Sequence, residues 1–298
     1  MSNTRRVTRR MGLRTMVAAA VIVPLIGSIG ASAARPRARR LDVMTFNLRF
    51  ASTDEPNSWA ARRPVMRELL RRTSPAVVGT QEGLYQQLRD IHADLDPLHY
   101  EWVGTGREGG SRDESMAVFY DTRRLTPVEY DHFWLSDTPE VIASNTWGAR
   151  FSRMVTWVRF RDLRDGGREF YVLNTHFDHA SQYARVRSAD LVARRIAGLD
   201  RSLPVLLTGD FNVPAHQNPV YDQLLSTGLV DTWDAAAERG PLYATFHGFK
   251  PPARGGDRID WILSTPGVMV HRAWVETFAA GGQFPSDHLP VLASVSLG

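Results

Sequence analysis

Four apolar runs in this 298-residue chain stop at side chains that can hold a metal or move a proton. Val43-Met44-Thr45-Phe46 ends in Asn47, and Val77-Val78-Gly79-Thr80 ends in Gln81-Glu82. Tyr171-Val172-Leu173 runs into Asn174-Thr175-His176-Phe177-Asp178-His179, and Val205-Leu206-Leu207-Thr208 into Gly209-Asp210-Phe211-Asn212. A further run, Arg258 to Leu263, carries Asp260 inside it, and Ser286-Asp287-His288 stands just before the last run. Sheet proteins build sites at strand ends, so one shared cleft is expected. Oxygen ligands without cysteine favour a hard cation, Mg²⁺ or Mn²⁺. Asp and Asn can orient a water, and histidine can neutralise a phosphoryl oxygen as charge builds there. A metal that keeps several waters suits hydrolysis of phosphate esters. Each piece has an ordinary alternative: Asn47 as a turn cap, Glu82 as a first-turn acid, Asp210 and Asn212 as turn residues, Asp287 as an N-cap. Their recurrence in this order argues for a site.

Composition narrows the classes. With 43% apolar residues the chain can bury a large core, which excludes whole-chain disorder. It has no cysteine, so disulfides, zinc–thiolate sites, iron–sulfur clusters and cysteine nucleophiles are excluded. Lys250 is the sole lysine, which disfavours a P-loop, a Schiff base and a kinase-type lysine. Nine arginines and no acid precede Leu41, so the formal +4 of the whole chain becomes −5 for residues 41–298. The basic character belongs to the N-terminus and does not support nucleic-acid binding by the folded part. Arginines followed by an apolar stretch from Met16 to Ile29 and Ala31-Ser32-Ala33-Ala34 read as a secretory signal over 1–34. Thr8 to Leu13 resembles a twin-arginine export motif. A secreted or extracytoplasmic protein is expected, with 35–40 as a linker and 41–298 as one α/β domain.

The elements that must position these side chains follow from periodicity. Helices are expected at Trp59–Arg72, Tyr85–Leu95, Gln182–Leu199 and Val220–Ser226. Strands are expected at Leu41–Asn47, Ala76–Gly79, Met116–Tyr120, Arg124–Trp134, Pro204–Thr208, Ile259–Leu263, Val268–Thr277 and Leu289–Val295. Met154–Phe160 and Glu169–Asn174 flank Asp165-Gly166-Gly167, a hairpin signal. Two packed sheets covered by outer helices would use these elements economically.

Thr45-Phe46-Asn47, Gln81-Glu82, Asn174-Thr175-His176, Gly209-Asp210-Phe211-Asn212, Arg258-Ile259-Asp260 and Ser286-Asp287-His288 together resemble the endonuclease/exonuclease/phosphatase (deoxyribonuclease I-like) superfamily. Trp134-Leu135-Ser136 and Thr245-Phe246-His247-Gly248 are similar to its bacterial secreted branch. The resemblance implies a four-layer α/β/β/α sandwich and a hydrolase of phosphodiester or phosphomonoester bonds that uses Mg²⁺ or Mn²⁺. It implies Glu82 as principal metal ligand, helped by Asn47 and Asp287. Asp210 would orient or deprotonate the water, and Asn212 would hold the phosphate. His288 would act at the scissile phosphate, oriented by Asp260, with His176 on a non-bridging oxygen. Arg49 departs from the acid that the repair-nuclease branch carries two residues after Asn47. Arg49, Arg107, Arg153 and Arg185 are candidates for binding additional substrate phosphate, with solvated surface charge as the alternative.

Two other readings compete. Asn174-x-His176-x-Asp178-His179 approaches the zinc motif of metallo-β-lactamase-like hydrolases, with Asn174 in place of the first histidine. A catalytically silent secreted binding protein on the same scaffold is the other. The substrate could be nucleic acid, phospholipid or a small organic phosphate. Phe246, Phe249 and Trp147 are candidates for an apolar lip, against core packing. No obligate protein partner is inferred, and a monomer is expected.

Overall fold

The computed structural model describes residues 40–298. The predicted leader and all of the predicted linker except Arg40 lie outside the described residues. The elements run β1 (Leu41–Asn47), α1 (Trp59–Thr73), β2 (Val77–Leu84), α2 (Tyr85–Leu95), β3 (Tyr100–Val103), β4 (Glu114–Asp121), β5 (Leu125–Trp134), β6 (Met154–Asp162), β7 (Arg168–His176), α3 (Gln182–Ala197), β8 (Val205–Asp210), α4 (Pro219–Ser226), β9 (Val230–Asp231), α5 (Thr232–Ala235), β10 (Glu238–Arg239), β11 (Asp260–Ser264), β12 (Met269–Val275) and β13 (Val291–Ser296). A seven-stranded sheet has the order β10-β12-β13-β1-β2-β4-β3, and a six-stranded sheet the order β5-β6-β7-β8-β11-β9.

The inner faces of both sheets meet in one apolar layer that includes Val43, Val77, Val118, Phe160, Val172, Leu206 and Val291. Outside the first sheet, Met66 and Leu69 of α1 and Leu88 and Ile91 of α2 pack on Met44, Phe46 and Val78. Outside the second, Ala189 and Val192 of α3 and Val220 and Leu224 of α4 pack on Leu173, Leu207 and Leu263. Because β1, β2, β7 and β8 are buried on both faces, they read as continuous apolar runs rather than alternating ones. The result is the four-layer α/β/β/α sandwich.

Most expected elements are present within a few residues. Elements without a periodic signal went unexpected: β3, β9, β10 and α5 span four residues or fewer, too short for a hydrophobic period to show. The helix expected through Leu199 stops at Ala197, where Gly198 receives the chain. In α1 Val65, Met66, Leu69 and Leu70 are buried, and Arg62 does not lie on the solvent face. It is fully buried. Its Nε donates to Asn57 O, Nη1 to Leu48 O and Pro285 O, and Nη2 to Arg49 O and Phe50 O. Those bonds use all the donors of a guanidinium.

Topology sends the chemical side chains to one end. β1 and β2 are parallel, with Asn47 opposite Gln81. β7 and β8 are parallel, with His176 opposite Asp210. β11 runs antiparallel to β8, so its first residue, Asp260, lies opposite Asp210, the last of β8. β13 runs antiparallel to β1, so the segment entering it, Ser286 to Pro290, arrives where β1 ends.

Behind that end the sheets touch through polar groups. Gln81 Nε2 donates to Asn174 Oδ1 (2.7 Å), and Asn174 Nδ2 donates to Thr80 O (2.8 Å) and Ala117 O (3.1 Å). Gly79 allows this approach: a Cβ there would collide with Thr208 Oγ1 and stand 2.7 Å from Asn174 Oδ1.

Candidate active site

Asn47 and Asp210 are the terminal residues of their strands, and they join the two sheets. Asn47 Nδ2 donates to Glu82 Oε1 and to Asp210 Oδ2, both at 2.9 Å. Its Oδ1 accepts from Arg49 N. Glu82 stands at a register break in the β2–β4 pairing, between Thr80 and Gly83, with φ 61°. A bulge re-aims a side chain, and here it turns Glu82 into the cavity, where Oε2 also accepts from Phe50 N. Arg49 and Asn212 share the left-handed conformation, at φ 54° each. Strained backbone held by its surroundings collects at functional sites.

The two sheets supply one imidazole each: His176 ends β7 of the second, and His288 lies in the segment entering β13 of the first. His288 is buried, with Nδ1 3.0 Å from Asp260 Oδ2 and Nε2 3.8 Å from Asp210 Oδ2. Burial alone would lower its pKa, but the Asp260 carboxylate and its hydrogen bond, with Asp210 behind, raise it, so the ring is an imidazolium at neutral pH. Asp210 is pushed up by burial and by Asp260, and Asp287 by burial, with Glu82 adding to it. His176 goes the other way: burial, then the charge of Arg153, holds it well below the usual imidazole value. Asn212 Nδ2 donates both to Phe177 O and towards His176 Nε2 (2.9 Å). The Phe177 bond fixes which way the amide points, so Nε2 of neutral His176 accepts. Donation by Nε2 to a phosphoryl oxygen would require that amide to turn or the ring to gain a proton.

These groups open on a cavity of about 400 Å³, lined among others by Glu82, His176, Asp210, Asn212, Asp287 and His288. Its size is that of a small-molecule site. Asp260 stands behind His288, and Asn47 behind Glu82 and Asp210. Of the four arginine candidates, Arg49 and Arg153 line the cavity. Arg107 is instead held by Asp113 and Glu114, and Arg185 by Gln182 Oε1 and Asp178 O; neither lines the cavity. Phe246 is exposed and lines it, 5.1 Å from the His288 ring. Trp147 is buried in the core under α3, and Phe249 is half-buried away from the cavity. Glu114, Phe151 and His179 also line the cavity. Glu114 and Phe151 carry no sequence signal, lying outside every motif; His179 closes the Asn174-to-His179 run.

The donor set fits a hard cation. Ligand atoms of Glu82, His176 and Asp210 lie within 4.8 Å of one another, and Asp287 adds a third carboxylate to the same cavity. Clustered carboxylates that repel one another are relieved by a divalent ion. No thiolate is available to select a softer one.

The sequence profile of the Endonuclease/Exonuclease/phosphatase family matches residues 44–288, from β1 to His288. The chain belongs to this family. Among solved structures it is similar to a mannosyl-6-phosphatase of Bacteroides thetaiotaomicron, with 35% identity and a TM-score of 0.80 over 86% of this chain and 99% of that one. Among curated proteins it is 25% identical over 183 residues to Protein angel of Drosophila melanogaster, covering 59% of this chain. It is 24% identical over 182 residues to a probable RNA exonuclease of Saccharomyces cerevisiae, covering 57% of this chain. The matches span 49% and 35% of the length of those two proteins.

Proposed function

We propose that this protein is a Mg²⁺-dependent hydrolase of phosphate esters. The observation that carries the proposal is the bridge from Asn47 to both Glu82 and Asp210, which brings the carboxylates of the two sheets together beside His288 and His176. Membership of a family of phosphate-ester hydrolases supports it, as does the likeness to a mannosyl-6-phosphatase.

Glu82, with Asp287 and the free lone pair of Asn47 Oδ1, would hold the cation, and Mn²⁺ is the alternative by the same oxygen chemistry. When bound, the ion polarises the phosphoryl group and neutralises charge on it. Asp210, with its pKa raised by burial, is suited to orient the attacking water and take its proton. As an imidazolium His288 would present Nε2–H to the phosphoryl oxygen on which charge develops, while Nδ1–H donates to Asp260, which orients the ring and keeps it charged. Asn212, which lines the same cavity, would bind a phosphate oxygen with the N–H that it otherwise gives to His176 Nε2.

The test is hydrolysis of p-nitrophenyl phosphate and bis-p-nitrophenyl phosphate with Mg²⁺ and with excess EDTA. Turnover of at least one ester is expected with Mg²⁺ and none with EDTA. Asp210→Asn and His288→Ala should each lower kcat by about 10²–10⁴ with an unchanged circular dichroism spectrum. Full rates in EDTA, or in either folded variant, would refute the assignment. We propose further that residues 1–34 direct export; a mature product still beginning at Met1 would count against cleavage.

A further inference from the structure

Arg153 lies just before β6 and lines the cavity. Its side chain is 4% exposed. Two of its nitrogens, Nε and Nη1, are buried with no hydrogen-bond partner. Its nearest carboxylate oxygen, Asp178 Oδ2, is 3.7 Å from Nε, an ion pair too long to be a hydrogen bond. That carboxylate is already engaged by the backbone N–H groups of Arg150, Ala180 and Ser181. The third nitrogen, Nη2, stands 3.2 Å from His179 Nδ1, and His179 lines the same cavity. Buried Arg62, by contrast, has an acceptor for every donor. A buried guanidinium with unmet donors costs stability unless something else supplies acceptors. Nε and Nη1 are closed off as the side chain stands, so an acceptor in the cavity that Arg153 lines reaches them when the guanidinium turns towards it.

The chemistry of the visitor follows from charge. A phosphomonoester carries nearly two negative charges at neutral pH and three terminal oxygens. A diester carries one charge and two such oxygens. Asn212, His288 and a cation at Glu82 are enough to engage a diester. An additional guanidinium with two of its three nitrogens unpartnered favours the extra charge and the extra oxygen of the monoester. The pocket is also bounded by two exposed aromatic rings, Phe151 and Phe246, which fits a small body rather than a continuous strand.

We infer that Arg153, supported by His179, recognises the terminal phosphate of a small phosphomonoester and gives this site its preference for monoesters over diesters. The inference rests on the phosphate-ester reading, and binding is therefore measured apart from turnover.

The experiment compares wild type with Arg153→Met, Arg153→Lys and His179→Ala. It reads kcat/KM for p-nitrophenyl phosphate and for bis-p-nitrophenyl phosphate, and the rise in Tm with inorganic phosphate in the presence of Mg²⁺. The monoester-to-diester ratio should fall at least about tenfold in Arg153→Met, partly recover in Arg153→Lys, and fall less in His179→Ala. The phosphate-induced rise in Tm should shrink in the same order. An unchanged ratio together with an unchanged phosphate response overturns the proposal, as does an equal loss on both esters. If Arg153→Met does not fold, Arg153→Lys and His179→Ala carry the same comparison. If wild type hydrolyses neither ester, the phosphoesterase reading fails, and the phosphate response alone decides the role of Arg153.

Discussion

Asn47 is the residue on which the site turns. One amide group keeps Glu82 and Asp210 at 2.9 Å each, close enough to share a cation yet held apart by the donor between them. The asparagine is itself placed through its backbone carbonyl, which accepts from Ser286 Oγ at 2.6 Å. Ser286 Oγ in turn accepts from His288 N. Removing the amide leaves half-buried Glu82 and buried Asp210 without their shared donor and frees both to move. Asn47→Ala should raise the Mg²⁺ concentration for half-maximal activity by about 10- to 100-fold, read from activation curves. A curve that superimposes on wild type would mean that the amide has no part in holding the site.

At the scale of elements, helices outside the sheets fix the loops that carry chemistry. Arg62 of α1 ties the turn after β1 to Pro285, two segments far apart in sequence. Burial pulls its pKa down to about 10, so it remains charged at neutral pH. Arg62→Met should cost about 3 kcal/mol in urea unfolding, because several buried carbonyls lose their donors, and kcat should fall more than KM rises. Asp178 does a similar task at the entry to α3. Burial would raise its pKa, but the N–H groups of Ser181 and Ala180, with Arg153 and Arg150 N, lower it below the usual carboxylate range. A depressed folded pKa stabilises above the ordinary value of about 3.9, and that stability is lost as pH falls through it towards the folded value. Asp178→Asn should therefore cost about 2 kcal/mol at pH 7, and the difference from wild type should narrow by pH 3. A gap independent of pH would show that the charge of Asp178 is not what holds the turn.

For the molecule as a whole, charge and shape bear on the substrate. Residues 41–298 carry a formal −5, so the folded part lacks the positive field that draws in nucleic acid. Each phosphate neutralised on a DNA duplex adds a salt slope of about −0.9, and contact with many phosphates makes affinity fall steeply. The logarithm of kcat/KM for a small ester should fall with the logarithm of NaCl concentration with a slope no steeper than about −2. A much steeper dependence, with RNA or DNA as the better substrate, would point to a polymer-binding surface outside the cavity. The fold also decides which arginines reach the cavity. Of 36 basic residues, Arg49 and Arg153 are those lining the cavity among the described residues.

Much of this was legible without coordinates. Strands buried on both faces announce themselves as apolar runs, and the polar residues that end them, from Asn47 to His288, fall in an order that marks the family. The composition alone rules out thiolate chemistry and points to oxygen ligands. The fates of individual charged side chains were not legible, because they depend on partners distant in sequence. Arg62 looks like any other arginine of a solvated helix face, and only the fold brings Pro285, 223 residues away, to its guanidinium. Arg153, Arg107 and Arg185 are equivalent as letters; packing pairs Arg107 with Asp113 and Glu114 and Arg185 with Gln182, and leaves two nitrogens of Arg153 without a partner. Local sequence sets which residues stand at strand ends, since that requires only periodicity. The closing of two sheets on each other decides which buried charges are satisfied, since that requires contacts that no local pattern encodes.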